Sequence, residues 1–250
     1  MISTVVVTYN AGDLLKGCLQ SVKGVGEIIV VDLGSTDNTL KIAEDFGAKI
    51  FNHSKVDYVE KIRDFAVLKA SGDWILVLDP DERMSPFLWN QLKNVIGEDK
   101  YVAVNIPRKN VFFGKWIAHT NWWPDRHVRF FKNGRVKWDD KIHFYPKVDG
   151  RILNLPASEN IAIVHFGYQN IEQFINRQSR YSVVLAQNLF DSGVRFSWIS
   201  FFWNPLREFL VRYIRHLGFL DGFYGFALTY LMMIYQIEVA IKLWELEQKQ

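Results

Sequence analysis

The sequence predicts an α/β fold: a mostly parallel sheet flanked by helices, made of a Rossmann-like half and an antiparallel extension, with a helical appendage at the C-terminus. Three observations carry this. Apolar, β-branched runs alternate with helix-length amphipathic stretches through the first hundred residues, as in βαβ units with right-handed crossovers. Three of the runs end in polar residues, Thr8-Tyr9-Asn10, Asp32 and Asp79, at the edge where open α/β sheets bind ligands. From Phe196 onward the composition turns aromatic and basic.

Taken in order, residues 2–8 form a β-branched run that ends in the loop composition Tyr9-Asn10-Ala11-Gly12. Leu14, Leu15, Cys18, Leu19 and Val22 recur at three and four, which predicts an amphipathic helix lying on the sheet. Residues 27–32 read as the second strand, residues 34–38 as a turn with a helix cap, and residues 39–46 as the second helix. A short strand over 48–51, a helix over 58–70 and a buried strand over 74–78 follow. That last strand runs into Asp79-Pro80-Asp81-Glu82, where two carboxylates stand two residues apart. On a tight turn Asp79 and Asp81 could aim oxygens at one hard cation, Mg²⁺ or Mn²⁺; the alternative is plain turn chemistry. Asp32 could hold a ribose hydroxyl or a base N–H, or else cap its own turn. Arg63 could reach a pyrophosphate, or be a solvated helix residue.

Composition sets bounds. The 250 residues carry 30 Lys plus Arg against 27 Asp plus Glu, a balance that makes no case for nucleic acid. One cysteine, Cys18, excludes an intramolecular disulfide and reads as a small core residue. Neither a G-x-G-x-x-G nor a G-x-x-x-x-G-K-[ST] pattern occurs, so hydride-transfer and P-loop chemistry lack their phosphate cradle. The start of the chain lacks the basic and apolar segments of a signal peptide, which predicts a cytoplasmic protein.

Beyond residue 100, a strand over 102–106 and short strands over 128–131 and 136–138 predict the antiparallel extension. Arg126 and Arg129 are candidates for phosphate contacts, and the aromatics between 112 and 131 could stack on a sugar or simply fill a core. A strand over 161–166 and a helix over 170–190 follow, with Arg177 and Arg180 three apart and so on one face. After that, Phe196, Trp198, Phe202 and Trp203 precede Arg207, Arg212 and Arg215, and residues 222–237 carry no charge over 16 positions. That run is shorter than the roughly 20 residues that cross a bilayer. The region reads as a monotopic anchor lying in the membrane interface; the alternatives are a helical pair buried against the rest of the chain or a second subunit, and a true span. The expected domains are therefore 1–192 and 193–250.

Thr8-Tyr9-Asn10, the run E-I-I-V-V-D-L-G-S-T-D-N-T from Glu27 and the run G-D-W-I-L-V-L-D-P-D-E-R from Gly72 together resemble the inverting family 2 glycosyltransferases. The resemblance points to the small bacterial branch similar to lipopolysaccharide core beta-1,4-glucosyl and heptosyl transferases. It implies a GT-A-like fold with a nucleotide-binding half and an acceptor-side extension. It also implies that Thr8, Tyr9, Asn10 and Asp32 hold the nucleotide of a nucleotide-sugar donor, a UDP-sugar first. Arg63 would sit near the diphosphate, while Asp79 and Asp81 match the D-x-D pair whose Mg²⁺ or Mn²⁺ bridges the donor phosphates. The W-x-P-D-x-x-x-R-x-F pattern at Trp122 and the helix bearing Arg177 and Arg180 also resemble the branch, whose acceptors are glycans or lipid-linked sugars. One position departs from it. Where the branch reads V-H-E, this chain reads Ile142-His143-Phe144, and Phe144 cannot take the acceptor proton that inversion requires. Asp125, Asp139, Asp140 and His143 remain, with Asp125 first in its place and His143 second. The implied setting is peripheral, on the inner face of the cell membrane, with a homo-oligomer left open. The rival readings are a nucleotidyltransferase on a similar sheet and a non-catalytic membrane-associated protein with a decayed site.

Overall fold

The parallel half of the sheet begins at once with β1 (Ile2–Thr8), α1 (Gly12–Ser21), β2 (Glu27–Asp32), α2 (Thr39–Asp45), β3 (Lys49–Asn52), α3 (Glu60–Val67) and β4 (Trp74–Leu78). The computed structural model describes residues 1–56, 59–138 and 146–249. β2 and β4 flank β1 in parallel, with Thr8 opposite Asp32 and Val6 opposite Leu78, and β3 lies outside β2. The side-chain period of two sorts the strand residues onto two covered faces. Val6, Val30, Leu76 and Leu78 pack with Leu15, Cys18 and Leu19 of α1. Val5, Val7, Ile29, Val31, Ile75 and Val77 pack with Ile62 and Ala66 of α3. Cover on both faces is why these strands read as unbroken apolar runs. Cys18 is buried among them, and burial pushes its thiol up, away from thiolate chemistry.

The two-residue strand β5 (Glu82–Arg83) follows, then α4 (Pro86–Glu98), an element absent from the sequence expectations. Its signals are local: the Ser85 hydroxyl accepts from Leu88 N–H at 3.0 Å, Pro86 takes the first turn, and Leu88, Leu92 and Val95 bury one stripe. Next come β6 (Ala103–Phe112), β7 (Lys115–Trp116), β8 (Asp125–Lys132), β9 (Val136–Lys137), β10 (Lys147–Val148), β11 (Ile152–Asn154) and β12 (Ile163–Tyr168). The main strand order is β3-β2-β1-β4-β8-β6-β12-β5. β8 is antiparallel to β4, and β12 to β5, which sets His165 opposite Glu82. β6 runs six residues past the expected end at 106, and Pro107 removes one donor without stopping it.

The chain divides into two compact units, Met1–Lys109 with Arg126–His165, and Asn110–Asp125 with Phe166–Gln250. The second unit opens with a hairpin whose two-residue turn, Phe113 and Gly114, is left-handed at both positions (φ 53° and 79°), as a tight primed turn requires. It continues through α5 (Ile171–Asp191), capped by Asn170, to α6 (Trp198–Phe209), a π-helical turn over Leu210–Arg215, a short 3-10 turn and α7 (Phe223–Gln248). Phe112, Ile117, Tyr168, Phe174, Leu228 and Met232 form its core. Polar bonds tie its helices together. Lys242 Nζ donates to the Ser182 hydroxyl at 2.6 Å and to the Ser179 carbonyl at 2.9 Å, while Gln236 donates to Glu208 at 3.2 Å. By length and composition alone, α7 is long and apolar enough to cross a membrane.

Candidate functional site

The carboxyl ends of β1, β2 and β4 lie at one edge of the sheet, and in the first unit the polar strand ends meet there. Asn10 is left-handed (φ 46°), its amide N–H donating to the Ser35 hydroxyl at 2.9 Å and its side-chain oxygen accepting from Thr36 N–H at 2.7 Å. Asp32 is buried and engaged by its own turn. Oδ2 accepts from the amides of Gly34 (2.9 Å) and Ser35 (2.8 Å), and Oδ1 from the Ser35 hydroxyl (2.5 Å). These bonds shape residues 33–36 into a rim locked to Asn10. Tyr9 lies exposed on it with the Lys55 ammonium 4.0 Å from its ring centre. The Thr8 hydroxyl is buried without a hydrogen-bond partner.

Beside this rim, the turn after β4 gathers charge. Asp79 Oδ1 accepts from Arg63 at 2.9 Å and Oδ2 from Arg129 at 2.5 Å. Glu82 is fully buried: Oε2 accepts from the Asp79 amide at 3.0 Å, and Oε1 accepts from Arg129 at 2.6 Å and Arg108 at 3.4 Å. The Arg83 guanidinium braces the turn from behind through the carbonyls of Pro80, Glu82 and Leu14. Burial opposes the charged form of Asp79, but the Arg129 and Arg63 guanidiniums outweigh it and hold the carboxyl well below the usual carboxylate range. Burial likewise opposes the Arg129 cation, and Asp79 and Glu82 outweigh that, so its pKa is raised. Arg129 Nε nevertheless lacks a hydrogen-bond partner. Three guanidiniums thus crowd two carboxylates with little exposure to solvent, a surplus of positive charge suited to a polyanion.

Asp81 meets a different partner. Its Oδ2 lies 3.4 Å from His165 Nε2, and both side chains are mostly buried. A carboxylate and an imidazole make part of a transition-metal donor set. Among the described residues no group of three or more His, Cys, Asp or Glu is arranged to hold a metal ion. The pair would supply two donors to a divalent ion such as Mn²⁺, leaving its other positions to phosphate oxygens and water. Asp79, with both oxygens on arginines, is placed to orient guanidiniums.

The structure brings Thr8, Tyr9, Asn10, Asp32, Arg63, Asp79 and Asp81 to the first unit's carboxyl edge or its loops. Arg126, in the same unit, donates to the Leu155 carbonyl at 3.2–3.3 Å. Asp125, Arg177 and Arg180 belong to the second unit. Asp125 Oδ2 accepts from Asn110 at 3.1 Å, Arg177 lies 5.0 Å over the Tyr168 ring, and Arg180 is exposed. His143, with Asp139, Asp140 and Phe144, lies outside the described residues. Sequence reasoning missed Glu82, Arg108 and His165. Glu82 was in plain view in D-P-D-E, whereas Arg108 and His165 reach the turn only through the pairing of distant strands.

The model of the family described as glycosyl transferase family 2 matches residues 3–148. An uncharacterized glycosyltransferase of Rickettsia felis is 30% identical over 240 residues, which cover 89% of this chain and 83% of that protein. The lipopolysaccharide core biosynthesis glycosyltransferase LpsC of Rhizobium meliloti is 24% identical over 251 residues, covering 98% and 92%. Among solved structures, the mannosyltransferase PcManGT from Pyrobaculum calidifontis, in complex with GDP-Man and Mn²⁺, matches with a TM-score of 0.52 over 100% of this chain and 88% of that one. At 15% identity that likeness is one of fold, a GT-A-like mixed sheet flanked by helices with a C-terminal helical region. With more than half its length matched by the family model, the chain belongs to glycosyl transferase family 2.

Proposed function

We propose that the protein is a metal-dependent, inverting glycosyltransferase. It moves one sugar from a nucleoside diphosphate donor, a UDP-sugar first, to a hydroxyl of a glycan or lipid-linked acceptor. Its place is cell-envelope glycan synthesis at the inner face of the cell membrane. One observation carries the reading: the turn after β4 sets Asp81 beside His165 and holds Arg63, Arg108 and Arg129 against Asp79 and Glu82.

In this reading the 33–36 rim, with Thr8, Tyr9 and Asn10, receives the nucleoside. Asp32 acts chiefly by holding that rim, leaving one lone pair on Oδ1 for the base or ribose. Asp81 and His165 hold the divalent ion, which when bound neutralises charge on the donor diphosphate. Arg63 and Arg129, already oriented by Asp79 and Glu82, stabilise the diphosphate as it departs without reorganising at that moment. The acceptor oxygen attacks the anomeric carbon from the opposite side and gives its proton to a general base. Asp125, with one oxygen held by Asn110, is the first candidate for that base and His143 the second. Arg126, Arg177 and Arg180 stay as candidates for donor contacts.

A panel of nucleotide-sugars with Mn²⁺ or Mg²⁺, read out as released nucleotide and as the anomer formed, tests this. The wild type should release a nucleoside diphosphate with inversion. Asp81→Asn should lose about 10²–10³ in turnover while remaining folded, and Asp125→Asn should bind donor but lose transfer together with the acidic limb of the pH profile. Pyrophosphate release from a nucleoside triphosphate would favour a nucleotidyltransferase. Full turnover in Asp81→Asn would overturn the metal assignment.

A further inference from the structure

Helix α6 turns a continuous aromatic and aliphatic face to solvent. Trp198, Ile199, Phe202, Trp203 and Leu206 lie on its solvent side, with Trp198, Ile199 and Phe202 66%, 81% and 68% exposed. Its inward side carries the buried Pro205, the half-buried Phe201 and Phe209 and, at Glu208, a carboxylate bonded to Arg212 (2.9 Å) and Gln236 (3.2 Å). A surface helix of a globular protein keeps its outer face polar. The rings pack on one another, Phe202 edge-on to Phe201 at 5.1 Å and near-parallel to Trp198 at 6.3 Å. The surface continues onto α7 through Tyr213, whose ring meets Phe226 at 6.1 Å.

We propose that α6 and the π-helical turn after it lie in the plane of an anionic lipid bilayer. The aromatic face sits at the headgroup boundary, Arg207 and Arg215 meet the lipid phosphates, and α7 serves as a packed helix of the second unit. Charge selects this occupant. Residues 193–222 hold four arginines against two acids, Glu208 and Asp221, and both acids are engaged, Asp221 by His119 and the Ala118 and His119 amides. A second copy docked by two-fold symmetry would bring one arginine-rimmed patch against another, whereas lipid phosphates complement it. Tryptophan beside arginine at an apolar boundary is the composition of an interfacial helix. α7 is held by the bonds of Lys242 and Gln236 and buries Leu228, Met232, Val239 and Leu243, while its Phe223, Phe226 and Tyr230 stay exposed and extend the same apolar surface. This deepens the location given above, and it stands or falls independently of the chemistry at Asp81.

The test is cosedimentation of the full-length protein with phosphatidylcholine vesicles, with and without phosphatidylglycerol, at low and high salt, alongside donor hydrolysis without vesicles. The wild type should bind the anionic vesicles, less at high salt. Trp198→Ser with Phe202→Ser should abolish binding, and Arg207→Glu with Arg215→Glu should weaken it tenfold or more; all should hydrolyse donor at the wild-type rate. A wild type that stays in the supernatant, or arginine variants that bind as well as wild type, would overturn the proposal. So would a lipid-free dimer, seen by sedimentation velocity, that the aromatic pair dissolves. Loss of donor hydrolysis with vesicle binding intact would count against the transfer reading alone.

Discussion

The turn after β4 and helix α6 both invert the usual partition of polar and apolar groups, in opposite directions. In the turn, charge is inside: Glu82 is fully buried, and Arg63 and Arg129 nearly so. In the helix, apolar surface is outside, and Trp198 is two-thirds exposed. The turn satisfies its inversion internally, since its carboxylates and guanidiniums hold one another and are thereby oriented for a ligand that brings negative charge. The helix has no such internal remedy, because a ring facing water is relieved only by something that displaces the water. A buried polar cluster therefore reports on chemistry, and an exposed apolar face on surroundings.

The sharpest way to break this contrast is to remove one charge from the turn. Glu82→Gln keeps the volume but leaves Arg129 and Arg108 short of a counter-charge, and breaking a buried pair from one side costs about 3–5 kcal/mol. For a chain of this size that lowers the melting temperature by roughly 10 °C, read by calorimetry. Trp198→Ser, by contrast, should cost only about 1 kcal/mol, because it loses contacts with the neighbouring rings of Phe196, Phe201 and Phe202 and none with the core.

A smaller effect separates the site's carboxylates from a purely structural one. Glu27, at the amino end of β2, is held down to about 2: burial opposes its charge, but bonds from Lys49, Ser3 and Ser71 outweigh that. Its folded pKa lies below its unfolded value, so its stabilisation is complete above the ordinary glutamate range and fades as pH falls through about 2. Glu27→Gln should flatten that acid-side loss by roughly 2 kcal/mol, measured as urea midpoint against pH. Asp79, depressed by arginines, follows the same sign, so Asp79→Asn should flatten the acid limb as well as impair turnover.

What the sequence disclosed divides along the same physical line. The parallel half was legible because each strand and helix announces itself within a dozen residues: the apolar run of Trp74–Leu78 and the Leu15, Cys18, Leu19 stripe are local patterns. The D-x-D turn was legible for the same reason. The role of Asp32 was less so, since a carboxylate after a strand can cap its turn or face a ligand, and the three hydrogen bonds from its own loop are compatible with both. Helix α4 carries local signals of the same kind, Ser85-Pro86 and its leucine spacing. Arg108 and His165 were beyond reach, because their meeting with Glu82 and Asp81 depends on strand pairings across 26 and 84 positions of chain. The composition of residues 196–215 announced an aromatic, basic helix, yet which face it would turn outward is a property of packing.

The account rests most heavily on Asp81, and calorimetric titration of the wild type and Asp81→Asn with UDP and with GDP, each with and without Mn²⁺, tests it most directly. In the wild type, Mn²⁺ should strengthen binding of the preferred nucleotide at least tenfold. In Asp81→Asn the metal should add nothing, while the metal-free affinity, set by the arginines and the rim, stays near the wild-type value. Nucleotide binding indifferent to metal in the wild type, or equally metal-enhanced in the variant, would contradict the assignment of the Asp81–His165 pair.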